Sequence, residues 1–76
     1  ERIDLAQAIQ NCLNHLPEDQ RMAIVLCDVQ EMDYNEIAKA TRVALGTVKS
    51  RIARARAKLR ECFSQHKELL PAGYRL

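Results

Sequence analysis

Lys49, Ser50, Ala53 and Arg54 fall within residues 45–60, a stretch holding six Lys or Arg and no acid. Lys and Arg donors suit guanine O6 and N7 in a DNA major groove, and small residues such as Ser50 and Ala53 let a helix approach closely; Ala53 offers at most a methyl contact to thymine. At 3.6 residues per turn, Val48, Ile52, Ala55 and Leu59 fall on the opposite side, so one face fits a protein core and the other a polyanion. The N-terminal half of a recognition helix is the part that reaches base edges. The base-reading candidates are therefore Thr47, Lys49, Ser50, Ala53 and Arg54.

Around this edge lie candidates for phosphate contact. Gly46 sits at the helix start, where free backbone N–H groups suit a phosphate and a missing side chain allows close approach. Its alternative role is tight packing of the turn. Lys39 and Arg42 flank the same entrance, while Arg56, Lys58 and Arg60 lie beyond the first two turns and either meet phosphate or are simply solvated. Arg51 projects beside the core face, and an ion pair with an acid of the second or third helix, such as Asp28 or Glu36, is the role it suits.

Positioning such an edge requires other helices. Leu5, Ala8, Ile9, Cys12, Leu13 and Leu16 recur at three- and four-residue spacing, which predicts a first helix over residues 4–15, ended by Pro17. Pro17, Glu18 and Asp19 suit the first turn of a second helix running to about Val29. Met22, Val25, Leu26 and Val29 form one stripe on it, with Ile24 and Cys27 opposite. It reads either as the central helix of a small bundle or as one whose second face is a docking groove for a partner. Asp33 and Glu36 form a capping box that starts a third helix at Tyr34, with Ile37, Ala38 and Thr41 turned to the core. Four residues after Ala40 the basic helix begins, and its pattern continues through Cys62, Phe63 and His66 towards Leu70, where Pro71 stops it. Residues 71–76 read as an irregular tail. The fold class expected is all-α, a four-helix domain whose helix-turn-helix spans about residues 33–60.

The net charge of +2 conceals a division: residues 1–36 carry eight acids against two bases, a net of −6, whereas residues 37–60 carry eight bases and no acid, a net of +8. Polyanions respond to that local field. A hydrophobic content of 47% with two Gly and two Pro argues for an ordered helical chain in one domain. The chain starts at Glu1 without a Met and reads as a piece of a longer protein. The longest apolar run, residues 22–27, is far too short to span a bilayer. Cys12, Cys27 and Cys62 are odd in number and irregularly spaced, which predicts no disulfide framework and a cytoplasmic setting. Cys12 with His15 and Cys62 with His66 each place two metal-ligand types on one helical face, but buried Cys is commonly a small apolar residue, so no metal and no cofactor are expected. Nucleophile, base and orienting acid do not assemble, which predicts a protein that is not an enzyme.

The combination of Leu16-Pro-Glu-Asp-Gln-Arg21, Val25-Leu-Cys-Asp-Val29, Tyr34-Asn-Glu-Ile-Ala38, Leu45-Gly-Thr-Val-Lys-Ser-Arg51 and Arg54-Ala-Arg56 with Leu59 resembles the C-terminal, promoter-recognising domain (region 4) of extracytoplasmic-function-type bacterial RNA polymerase sigma factors. That resemblance implies binding of the −35 promoter element through the second helix of the helix-turn-helix, contact with the flap of the polymerase β subunit, and sequestration by an anti-sigma factor. It places Lys49, Ser50, Ala53 and Arg54 at base-reading positions. The chain departs from the pattern where relatives carry Gly and it has Glu31 or Arg42, where they carry Pro and it has Ala44, and at Ala53, where they often carry a larger side chain. Two alternatives compete: the helix-turn-helix output domain of a response regulator, which shares the Glu-Ile-Ala and Thr-Val-Lys elements, and an interaction module whose basic face meets an acidic partner.

Overall fold

The computed structural model describes residues 3–70, and these form α-helical structure with no strand among them. α1 (Leu5–Asn14) is capped by Asp4, whose Oδ1 accepts the Gln7 N–H at 2.8 Å. α2 (Glu18–Ile24) follows Pro17, with Glu18 and Asp19 in its first turn where the free N–H groups favour negative charge. α3 (Tyr34–Thr41) starts with the capping box expected of Asp33 and Glu36: each accepts the other's backbone N–H at 2.8 Å. α4 (Leu45–Phe63) is the long basic helix.

The core is one cluster of Leu16, Ala23, Ile24, Ile37, Val48, Ile52 and Ala55, with Leu13, Leu26, Val43 and Leu59 packed against it. Val48, Ile52 and Ala55 are the apolar stripe of α4 read from the sequence, and α2 and α3 both lie on it. At the turn, the Thr41 hydroxyl donates to the Ile37 carbonyl at 2.7 Å and the Val43 N–H to the Ala38 carbonyl at 3.1 Å, closing α3 before α4 begins. Arg42 supplies the bend by adopting a left-handed conformation, φ 59°, ψ 42°. Glu31, in the loop before α3, does the same at φ 57°. Those are the two positions at which the sequence departs from a family glycine, and a side chain there stands in a region that costs L-residues roughly 1–2 kcal/mol.

Three expectations about the elements need correction. The second helix does not run uniformly to Val29: after Ile24 it opens into a π-helical turn over Val25–Val29, closed by the Gln30 N–H on the Val25 carbonyl at 3.1 Å. On α2 itself the buried side is Gln20, Ala23 and Ile24, so Met22 from the expected stripe is 49% exposed; Val29, at the end of the wider turn, is 66% exposed. A 3.6-residue period cannot follow a change in winding. The basic helix likewise ends as an α-helix at Phe63, and Ser64–Leu69 continue as a 3-10 segment broken at His66, whose φ/ψ of −128° and 35° is not helical. The third correction concerns the cysteines. Cys12 and Cys62 are joined in a disulfide with a Cα–Cα separation of 5.8 Å, leaving Cys27 as the free thiol. The two lie 50 residues apart on helices that pack face to face, α1 against α4. Only the fold brings them together, and an odd count concealed the pair. The tail at 71–76 and the stop at Pro71 lie outside the described residues.

Candidate nucleic-acid interface

The reading edge is built by α4 standing on its apolar stripe. With Val48, Ile52 and Ala55 fully buried, residues half a turn away face solvent: Lys49, Ser50, Ala53 and Arg54 are all exposed and Thr47 is half-exposed at the flank. These five candidates therefore form one continuous strip on the first two turns of the helix. Ala53 leaves a shallow point between Ser50 and Arg54.

The flanks are controlled from α2. Arg51 pairs with Asp19 in the first turn of α2, Nε to Oδ2 at 3.5 Å, rather than with Asp28 or Glu36. The helix named from the sequence is right and the residue is not. Asp28, at the other end of the same segment, instead accepts from Arg56 Nη2 at 2.9 Å. Because α2 crosses α4, one acid from each end reaches a base on each flank, and the two ion pairs among the described residues pin the angle at which α4 is presented. The Asp28 carboxylate raises the pKa of the Arg56 guanidinium further, chiefly through that hydrogen bond. The Cys27 thiol beside it is pushed up by partial burial first and by Asp28 second.

At the helix start, Ala44 gives no side-chain cap, and no acid occupies the first turn of α4. The Thr47 and Val48 N–H groups are both used on the Ala44 carbonyl, at 3.0 and 3.2 Å. A Cβ built on Gly46 meets nothing within 4 Å, so tight packing of the turn does not explain this glycine. Gly46, Lys39 and Arg42 are all exposed. Lys58 and Arg60 are exposed on later turns. Lys58 lies at the far end, where it lines a depression with His15, Glu61, Cys62 and Gln65. Sequence reasoning missed Asp19 as a strut and offered Asp28 to Arg51 rather than to Arg56; the only signal for these pairings was the surplus of bases on α4 and of acids before it.

A capped helix, a tight turn and a basic second helix with an exposed, sterically open N-terminal half define a helix-turn-helix domain of the nucleic-acid-binding kind. Among such domains the chain belongs to the sigma-70 region 4 family, whose model matches residues 6–59. It is 44% identical over 62 residues, 82% of this chain and 24% of the relative, to the ECF RNA polymerase sigma factor SigE of Mycolicibacterium smegmatis. It is 47% identical over 58 residues, 76% of this chain and 30% of the relative, to the ECF RNA polymerase sigma factor SigM of Mycobacterium tuberculosis. The ECF RNA polymerase sigma-E factor of Escherichia coli is 45% identical over 53 residues, 70% of this chain and 28% of the relative. The chain thus spans about a quarter to three-tenths of the length of these relatives. This membership decides between the helix-turn-helix alternatives in favour of the sigma family over response regulators.

Proposed function

We propose that this domain reads the −35 element of promoter DNA as part of an extracytoplasmic-function sigma factor and so directs RNA polymerase to initiate transcription. The observation that carries the reading is the exposed strip of Thr47, Lys49, Ser50, Ala53 and Arg54 on a helix whose flanking bases Arg51 and Arg56 are tied back by acids. Arg54 and Lys49 donate to guanine edges, and Ser50 and Ala53 admit the groove floor. Lys39, Arg42, Gly46, Lys58 and Arg60 hold the phosphates, which sets position without sequence. Arg56 acts as a strut in this account, not as a phosphate ligand.

The role is one of binding, not catalysis, and its setting is the bacterial cytoplasm, where the chromosome lies. No helix of the described residues is long and apolar enough to cross a membrane. The polymerase β flap is the proposed occupant of the groove between α2, α3 and α4, where Met22, Leu26 and Ala40 supply apolar floor and Glu18 and Asp19 an acidic rim. An anti-sigma factor that masks either this groove or the basic helix would silence the domain. Alone, the domain binds DNA weakly, near the non-specific range of about 10⁻⁴–10⁻⁶ M, since full affinity draws on the polymerase and a second DNA-binding domain.

Selection of bound sequences from a random duplex pool at low salt tests the reading. It predicts enrichment of a single short motif bound one protein per site, with affinity falling steeply as salt rises. Enrichment of a palindrome bound two to one, or no enrichment at all, would overturn it.

A further inference from the structure

The Cys12–Cys62 pair plays no part in reading DNA. It lies off the reading edge, with Cys62 eight residues beyond Arg54, about 12 Å along α4 at 1.5 Å per residue. It also sits in a chain whose sigma reading places it on chromosomal DNA, in a compartment where thiol reductants keep most cysteines reduced and where protein disulfides are usually transient or redox-sensing. We propose that Cys12 and Cys62 are a reversible thiol–disulfide exchange site that takes small or protein dithiols as reductants and disulfides such as glutathione disulfide as oxidants, and that its state decides whether α1 is stapled to α4. The compartment argument rests on the sigma reading; the site itself rests on geometry.

Three observations carry it. The two sulfurs are unequal: Cys12 is 1% exposed, whereas Cys62 is half-buried and lines an open depression of about 370 Å³ with His15, Lys58, Glu61 and Gln65. An incoming thiolate therefore reaches Cys62 and not Cys12, past the cationic Lys58. The third cysteine stands apart: Cys27 lies on the Val25–Val29 turn, with Arg56 Nη2 on its sulfur at 3.9 Å. Lastly, α1 depends on this contact. Its buried Ala8 and Cys12 stand outside the main core cluster, α1 packs on α4, and its ties to that cluster are Leu13, partly buried against it, and Leu16, beyond its end. The bond is made just where α4 gives way to the 3-10 segment, so the Cys62 end can yield.

Reduction proceeds by two exchanges. A thiolate of the external dithiol attacks the Cys62 sulfur, forming a mixed disulfide there and expelling Cys12 as a thiolate that takes up a proton. The second thiolate of the reductant then attacks its own sulfur in the mixed disulfide and expels Cys62, which is also protonated. The pair gains two electrons and two protons, and the reductant becomes a disulfide. Oxidation by glutathione disulfide is the reverse, with two glutathione thiols released.

The test equilibrates the chain in glutathione buffers of graded ratio, quenches by alkylation, and reads the pair by mass while hydrogen exchange reads the helices. The expected result is interconversion of both forms across the buffer series, unchanged by Cys27→Ser. In the reduced form, α1 amides accelerate at least tenfold more than those of Val48 and Ile52. Glutathione disulfide should cap Cys62 in Cys12→Ser at least tenfold faster than it caps Cys12 in Cys62→Ser. The proposal is overturned by a pair that stays oxidised under excess reductant, by a chain that unfolds on reduction, by equal acceleration of α1 and α4, or by equal capping of the two cysteines. Duplex binding measured on the same samples judges the sigma reading separately, because none of these readouts involves DNA.

Discussion

Removing the Arg56–Asp28 pair separates a strut from a phosphate ligand. Both side chains are about half exposed, 48% and 50%, so despite the 2.9 Å hydrogen bond the pair is screened. Its coupling belongs with exposed ion pairs, at about 0.2–1 kcal/mol. For a domain of this size, 1 kcal/mol moves Tm by roughly 4–8 °C, so Arg56→Ala and Asp28→Ala should each lower Tm by roughly 1–8 °C, and the double variant by little more than either. The DNA readout is sharper. A cation that contacts phosphate releases a counterion and contributes about 0.9 to the slope of log affinity against log salt. If Asp28 holds Arg56 away from DNA, Arg56→Ala changes that slope by well under half this amount. Asp28→Ala, which frees the guanidinium, raises it. Fluorescence anisotropy of a labelled duplex between 50 and 200 mM salt measures both. A full loss of about 0.9 on Arg56→Ala in the otherwise unchanged chain refutes the strut and restores Arg56 to the phosphate set.

Other substitutions test separate parts of the account. Glu31→Gly relieves a left-handed side chain at φ 57° and should stabilise the domain by about 1 kcal/mol, seen as a Tm rise of several degrees; a fall would mean that the Glu31 side chain contributes more than its backbone costs. Gly46→Ala places a Cβ in open space, so thermal stability should hold or rise by about 0.5 kcal/mol, while binding to every duplex weakens because the phosphate loses its approach. Undiminished binding would remove Gly46 from the interface. Ile52→Ala deletes a side chain 1% exposed and should cost about 2–5 kcal/mol, a large part of the few kcal/mol a 76-residue domain holds, and denaturant titration should show it.

Much of this domain was legible in the sequence because its elements carry local signals. The Asp33–Glu36 capping box, the Pro17 boundary and the stripe of Val48, Ile52 and Ala55 each depend on residues within one or two turns, and all three appear as read. Exposure of the reading edge follows from that stripe alone. What escaped depends on contacts between elements. The π-helical turn at Val25–Val29 changes the winding after α2, and no helical period signals it; on α2 itself the buried side includes the polar Gln20, which an apolar stripe passes over. Arg51 reads as a strut to an acid of α2 or α3 such as Asp28 or Glu36; it pairs with α2, but at Asp19, which depends on how α2 packs on α4. The disulfide was invisible for the same reason, since nothing near Cys12 marks Cys62 as its neighbour. Glu31 and Arg42 sit between these cases: the resemblance marks both positions as departures from glycine, and the left-handed backbone there is seen only in the fold.

The central claim, that the first two turns of α4 read bases, is tested most directly by the specificity ratio of Arg54→Ala, its affinity for the selected duplex divided by that for a scrambled one. A bidentate Arg–guanine contact is worth about 1–3 kcal/mol of discrimination. The account predicts that binding to the selected duplex falls by that amount, that the scrambled duplex loses only a few-fold, and that one position of the selected motif relaxes. Equal losses on both duplexes, with the motif unchanged, would contradict it.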